Sequence, residues 1–346
     1  MTTAAAVPSS DISYLWDDYS PTPLMNAPAL AKQANVARVL IKVEARRPLG
    51  NFKALGGMVA GLRAIARALG AATVQDLIAD PGRYGAPPRL ICASDGNHGL
   101  SVAAAAQRVG GSASIFLPQG VSPVRVERIR GLGGEIVWID GTYDDAVTEA
   151  ALVAARGDGL LVPDTTEDPD DRIVKDVMAG YELMTHELKI QFGDDVGDLP
   201  THQFIQAGVG GLAAAIAQGL RGLPGAAARL LVVEPRSAAC VAHGLVVGRP
   251  ERIAGGLETS AEMLSCGLAS APALALLLRH EARSVLVDEE DLRVAVTMLA
   301  TVGLDTTPSG AAGLAGLMVV AADEPLRTQH RLTPESRVLT IMTEGI

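Results

Sequence analysis

Cysteine, aromatic residues and positive charge are all scarce in this sequence, and each scarcity excludes something. Three cysteines (Cys92, Cys240 and Cys266) in 346 residues do not make a disulfide framework. Residues Met1–Asp11 lack a basic start followed by an apolar run, so the cytoplasm is the expected compartment. With aromatics at 3%, the interior has to be built from Ala, Val, Leu and Ile. Lys and Arg number 29 against 39 Asp and Glu, giving a formal net charge of −10. The arginines are scattered, without the stripe that displaces counterions from a phosphate backbone, so no nucleic-acid partner is expected. The longest uncharged apolar run, Gly310–Ala322, falls short of a bilayer span, so no membrane association is expected. There is no H-E-x-x-H, no Cys/His pair at zinc spacing, no G-x-S-x-G elbow and no P-loop lysine, and no metal is expected.

What the sequence does have is 48% hydrophobic residues and 37 glycines, arranged with a rhythm. From Arg89 onward, short β-rich runs alternate with amphipathic segments: Leu90–Ala93, a helix from His98, Ser114–Leu117, a helix from Pro123, Glu135–Ile139, a helix from Tyr143, Leu160–Val162. After a long helical stretch near Ile173–Leu188 a second series follows: Gln203–Gln206, a helix from Leu212, Leu230–Val233, Ser284–Val287, a helix from Glu289, and Val338–Met342. Such alternation predicts α/β architecture with parallel sheets in two units. Thr165–Asp171 and Asp80–Pro88 are turn-rich, and are the expected crossings or hinges.

Five segments carry residues with chemistry. Lys53 sits in Gly50-Asn51-Phe52-Lys53-Ala54-Leu55-Gly56-Gly57, framed by glycines that let backbone approach a ligand; a lysine in a suitable environment forms Schiff bases, although an isolated lysine is usually a surface residue. Ala93-Ser94-Asp95-Gly96-Asn97-His98-Gly99 lies where a strand hands over to a helix, as a ligand-facing turn or an ordinary N-cap. Gln206-Ala207-Gly208-Val209-Gly210-Gly211-Leu212 makes an anion cradle at a helix N-terminus. The same run satisfies G-x-G-x-x-A through Gly208, Gly210 and Ala213, with Glu234 at the separation expected of a ribose-binding acid, so a dinucleotide reading stays open. Thr340-Ile341-Met342-Thr343-Glu344-Gly345 places a hydroxyl just past the last strand, and Thr307-Pro308-Ser309-Gly310-Ala311-Ala312-Gly313 reads as a small-residue turn opening a closely packed helix.

Taken in this order, and with Pro21-Thr22-Pro23-Leu24 near the start, these motifs resemble the fold-type II pyridoxal-5'-phosphate (PLP) enzymes, the tryptophan synthase β-like group that includes threonine and serine dehydratases. Within the group the chain looks most like diaminopropionate ammonia-lyase, from the D-G-N-H-G turn, Asp164-Thr165, Met178-x-Gly180-Tyr181, the Gln206–Gly210 run and the ending T-E-G. The resemblance implies two three-layer αβα domains with mainly parallel sheets and PLP in the interdomain cleft: a large domain of residues 1–68 and 163–346, and a small mobile one of 69–162. It also allows a local Cys240–Cys266 disulfide, which the expected compartment disfavours.

Carried over by position, the resemblance implies that Lys53 holds PLP as a Schiff base beside Phe52, and that Asn97 bonds the cofactor's phenolic oxygen. The N–H groups of Gly208, Val209, Gly210, Gly211 and Leu212 would hold its phosphate, and Thr343 would face its pyridine nitrogen. Ser94, Asp95, Gly96 and His98 would meet the substrate, with Lys53, Asp95 and Asp164 as catalytic acid/base groups. The implied activity is β-elimination from a small amino acid, 2,3-diaminopropionate-like or hydroxylated, to a 2-oxo acid and ammonia. A hydroxyl at the ring nitrogen favours that outcome, because a neutral ring is a weaker electron sink. A β-replacement synthase or a racemase would use the same lysine; a nicotinamide-dependent oxidoreductase or a non-catalytic ligand-binding protein are the alternatives of another class. A homodimer is the usual assembly of the group. The chain departs from the lyase pattern at Thr166-Glu167-Asp168-Pro169 and at the dehydratase-like Pro48-Leu49-Gly50-Asn51, and Thr307 stands where dehydratases commonly have glutamate.

Overall fold

Ten short runs of mostly aliphatic residues form strands in the computed structural model, which describes residues 13–94, 96–193, 197, 199–221, 223 and 228–346. They are β1 (Leu24–Asn26), β2 (Arg38–Val43), β3 (Leu90–Ala93), β4 (Ala113–Pro118), β5 (Gly134–Ile139), β6 (Leu160–Leu161), β7 (His202–Gln206), β8 (Arg229–Pro235), β9 (Arg283–Val287) and β10 (Arg337–Met342). The chain groups into two units. The smaller holds Lys53–Asp164 and Asp171–Leu183 with the described residues up to Ser20; the larger holds Pro21–Phe52, Thr165–Asp170 and Met184–Ile346. The helix Lys53–Leu69, placed by the sequence division in the large domain, groups with the smaller unit, and Asp80–Pro88 lies wholly inside that unit.

In the larger unit the sheet order is β1-β2-β10-β7-β8-β9, and every pairing is parallel except β1 with β2. A parallel sheet needs covered faces, and alternate residues meet that need. Val39, Ile41, Phe204, Leu231, Val233 and Val338 share one core with the helices Pro28–Ala34, Glu289–Thr301 and Pro308–Ala322. The last helix lies flat on the sheet because Gly313 has no side chain: a Cβ there would sit 2.7 Å from the Phe204 carbonyl oxygen and 2.9 Å from Gln206 Oε1. Close packing was the expectation for this small-residue segment, and Thr307 starts it by accepting the Gly310 N–H at 3.1 Å.

The same unit contains a buried ionic cluster with no signature in the sequence pattern. Lys42, the penultimate residue of β2, is fully buried and donates to the Thr22 carbonyl (2.8 Å) and to Glu187. Arg47 bonds Glu44 through two nitrogens (2.9 and 2.7 Å) and reaches Glu187 at 2.6 Å. Two cations thus face two carboxylates, and burial is tolerated because each charge is paired and hydrogen-bonded.

The smaller unit has the all-parallel order β5-β4-β3-β6, with the helices Asn97–Arg108, Pro123–Gly131 and Tyr143–Ala155 following β3, β4 and β5 as βαβ crossovers. The helix Lys53–Leu69 packs on Asn97–Arg108 through small residues: a Cβ on Gly61 would lie 2.7 Å from that of Ala105. None of the three cysteines forms a disulfide, so the Cys240–Cys266 bridge that the resemblance allowed is absent; Cys240 donates instead to the Gly208 carbonyl (3.2 Å). Among the described residues no helix is long and apolar enough to cross a membrane.

Candidate active site

In the smaller unit, Lys53 is the first residue of its helix, and its ammonium lies 2.8 Å from Asp164 Oδ2, with both side chains largely but not wholly covered. Burial alone would raise the Asp164 carboxyl; the charge and hydrogen bond of Lys53 override it and hold the group well below the usual carboxylate range. Asp164 follows β6 closely, and the chain end of that strand is pinned by His98. The fully buried His98 ring places Nε2 2.8 Å from the Val162 carbonyl, which can only accept, so the proton resides on Nε2. Burial keeps this imidazole from protonating, and among the described residues its buried Nδ1 has no hydrogen-bond partner. The ring is thus committed to backbone rather than exposed at the turn surface.

Ser94, Gly96 and Asn97 lie where sequence placed them, between β3 and its helix. Ser94 is buried and Gly96 precedes the first helical residue, Asn97. Gly99 is required here, since a Cβ would stand 2.5 Å from the Ser94 carbonyl oxygen. Asp95 lies outside the described residues. Two residues not expected at the site border the Lys53–Asp164 pair. Tyr181 and Cys92 are both buried, and burial above all pushes both hydroxyl and thiol upward, with Lys53 opposing the shift and the Asp164 charge adding to it. Tyr181 reaches the first turn of the lysine helix because Gly56 and Gly180 have no side chains; a Cβ on Gly180 would lie 2.6 Å from the Leu55 carbonyl oxygen. The signal available in the sequence was the Gly56-Gly57 pair, which marks a face that something must approach.

In the larger unit, β7 ends at Gln206 and the chain turns through Gly208–Gly210 into the helix Gly211–Gly219. Gly210 adopts φ +96°, a left-handed conformation that favours glycine, and no side chain caps the helix. A Cβ on Gly208 would meet Cys266 Sγ at 3.0 Å and the Met263 carbonyl at 3.1 Å, so that position is also held small. Val209 and Leu212 flank this turn; the Val209 carbonyl accepts the Ser270 N–H at 3.0 Å. Thr343 follows β10, almost fully buried, and its carbonyl accepts the N–H of Phe52, the residue before Lys53, at 3.0 Å.

Gln206 organises this end of the sheet. Its Nε2 lies 3.0–3.2 Å from the carbonyls of Ser309, Gly310 and Ile341 and from Thr343 Oγ1. Three carbonyls identify that atom as the amide nitrogen, which therefore donates to the Thr343 hydroxyl. Among the described residues the hydroxyl's own proton meets only the Ser309 carbonyl, at 3.5 Å. Thr307, at the glutamate position of dehydratases, donates to the Glu344 carboxylate, so a carboxylate is supplied there from another segment. Glu234 is fully buried, and its oxygens accept the N–H groups of Val241 and Ala242 at 2.7 Å each. Burial pushes this carboxyl up to about 8 against those two bonds. It anchors the helix Cys240–Val247 and is not presented to a ribose, which removes the acid that the dinucleotide reading required.

The comparisons with known proteins agree with one another. Residues 15–344 match the family model described as pyridoxal-phosphate dependent enzyme. The diaminopropionate ammonia-lyase of Escherichia coli is 30% identical over 94% of this chain and 85% of its own length, and that of Salmonella typhimurium 29% over 95% and 86%. The crystal structure of the E. coli enzyme in complex with D-serine superposes with a TM-score of 0.85 at 28% identity, covering 99% of this chain and 91% of that one. With the lysine, the glycine turn and the buried threonine in the order already described, this chain belongs to the pyridoxal-phosphate dependent enzyme family.

Proposed function

We propose that the chain is a PLP-dependent ammonia-lyase that removes a β substituent from a small amino acid, of the 2,3-diaminopropionate or hydroxy amino acid class, to leave a 2-oxo acid and ammonia. The observation that carries the reading is the 2.8 Å pair of Lys53 with an Asp164 held ionised. The E. coli relative, whose structures are described as complexes with D-serine and with an aminoacrylate-PLP azomethine intermediate, supports the reaction class.

The residues present fit PLP. The glycine turn offers uncapped N–H groups at the positive end of a helix dipole to a phosphate. Thr343 has its lone pair engaged by Gln206 and its proton weakly used, which suits an unprotonated ring nitrogen. When bound through Lys53, PLP supplies the electron sink that makes the substrate's α-proton acidic. Lys53 and Asp164 then work as a proton-handling pair: the amine takes the α-proton and passes it to the departing β substituent, and the neighbouring carboxylate stabilises the ammonium formed in between or takes the α-proton of the other enantiomer. Asp95 is the second acid of this reading, and an acid on each face of the substrate would admit both enantiomers. The N–H groups of the Ser94–Gly96 turn hold the substrate carboxylate, and Asn97 bonds the phenolic oxygen. A homodimer in the cytoplasm is part of the same proposal.

Purified protein incubated with both configurations of diaminopropionate, serine, threonine and hydroxyaspartate should release a 2-oxo acid from at least one of them, with two ammonia per oxo acid from diaminopropionate and one from a hydroxy amino acid. Lys53→Ala should lose both this activity and the lysine-linked visible absorbance. Product that appears only with an added thiol nucleophile, or inversion of configuration without ammonia, would replace elimination by β-replacement or racemisation.

A further inference from the structure

The N-terminal edge of the larger unit's sheet, opposite the edge that ends in the glycine turn and Thr343, begins with arginine on four strands: Arg38 in β2, Arg229 in β8, Arg283 in β9 and Arg337 in β10. Where β8 and β9 begin, the helices Gly211–Gly219 and Ala271–Arg279 end, and between them opens a cavity of about 370 Å³. It is lined by Arg221, Arg229, Arg283 and His280, with Glu281 as the one acid among the lining residues, and by the apolar Leu220 and Leu230.

These cations are not neutralised locally. Arg283 uses Nη1 on the Gln329 carbonyl, while among the described residues the guanidinium groups of Arg221 and Arg229 make no ion pair or hydrogen bond. The surroundings respond as a positive field should. Burial and then Arg331 and Arg283 disfavour the charge on Arg229; burial and then Arg221 and Arg279 disfavour a proton on His280. All this occurs in a chain of net charge −10. Cations at helix C-termini are ordinarily placed against the negative end of the dipole, which accounts for Arg221 and Arg279. It leaves Arg229 and Arg283, which open strands, unexplained.

We propose that this cavity is a binding site for a small organic dianion, a phosphate monoester or a dicarboxylate, separate from the PLP site. Guanidinium forks recognise both groups in the same way, with paired, charge-assisted hydrogen bonds. The size of the cavity and the leucines in its lining fit a short carbon stem attached to the charged head. A polyanion is disfavoured, because the overall negative charge repels it outside the pocket. The inference does not depend on which amino acid the enzyme consumes.

The test is calorimetric titration of the PLP-loaded protein, in which the glycine turn is already occupied, with glycerol 3-phosphate and with succinate at constant ionic strength set by potassium chloride. Saturable binding at one site per chain is expected for at least one of the two probes, and which probe binds identifies the head group. Arg229→Gln and the exposed Arg221→Gln should each weaken it about tenfold or more, as loss of a charge-assisted bond implies, with visible absorbance and circular dichroism as in the parent protein. Heat that does not saturate beyond the chloride control, unchanged affinity in Arg221→Gln, or binding only to heparin would each overturn the proposal.

Discussion

Asp164 and Gln206 show how much a single side chain decides at this site. Asp164 is ionised because an ammonium lies against it, so Asp164→Asn keeps the shape and removes the charge. Elimination should slow by about 10²-fold or more, the range of a lost acid/base group, with the far-ultraviolet circular dichroism unchanged. A rate within a few-fold of the parent enzyme would reduce Asp164 to a structural partner of Lys53. Gln206 is different in kind: it touches only protein, yet it orients the Thr343 hydroxyl. Gln206→Leu removes the amide that donates to three buried carbonyls and to that hydroxyl. Destabilisation of about 1–3 kcal/mol in urea is expected, together with a displaced cofactor absorbance maximum. Lys53 and the glycine turn could be picked out in the sequence because the chemistry demands those residue types. Gln206 could not, since glutamine at the end of a strand has no chemistry until the partners from Ser309, Ile341 and Thr343 arrive.

At the scale of elements, close approach and buried charge set the tolerances. The lysine helix and the helix after β3 meet across Gly61 and Ala105, where Gly61→Val would force side-chain atoms into Ala105 and Leu90. Overpacking there should cost about 1–3 kcal/mol, read from the urea midpoint, and an unchanged midpoint would show that the two helices can separate freely. The ionic cluster makes the opposite kind of demand. Glu187→Gln removes the carboxylate shared by Lys42 and Arg47, leaving a buried excess of positive charge, and should cost about 3–5 kcal/mol. Strand β2 escaped the sequence reading for this reason. A lysine one residue from the end of Arg38–Val43 looks like a solvent-facing residue, and only a carboxylate from residue 187 makes it a core residue.

For the molecule as a whole, buried histidines set the response to acid. Burial holds His98, His186, His202, His280 and His330 below the ordinary imidazole value. Their unfolded forms therefore bind protons at higher pH than their folded forms, and stability rises with pH in that window. Their contribution is complete above about pH 6.5 and is lost as pH falls through the depressed folded values. Asp164 and Glu187 act further down: their folded carboxyls are lowered, so their contribution disappears only under more acidic conditions. Glu234, pushed up to about 8, acts with the opposite sign in this window, so the test uses Glu234→Gln: in that background the melting temperature should fall steadily from pH 7 to pH 5, and a flat profile over that interval would contradict neutral burial of these rings.

The sequence by itself determined the α/β class, the position of most strands and helices after Arg89, and the family, because periodicity of apolar residues and ordered motifs are local properties of a chain. It also determined which residue types are available for the chemistry: an amine at Lys53, backbone N–H groups at Gly208–Leu212 and a hydroxyl at Thr343. Only the tertiary structure decided that Lys53 and Asp164, 111 residues apart, are hydrogen-bonded. It likewise decided that Glu234 anchors a helix, that no disulfide joins Cys240 and Cys266, and that Tyr181 borders the lysine. Each of these rests on a distance between residues far apart in the chain, and charge, desolvation and hydrogen bonding act through that distance rather than through sequence separation.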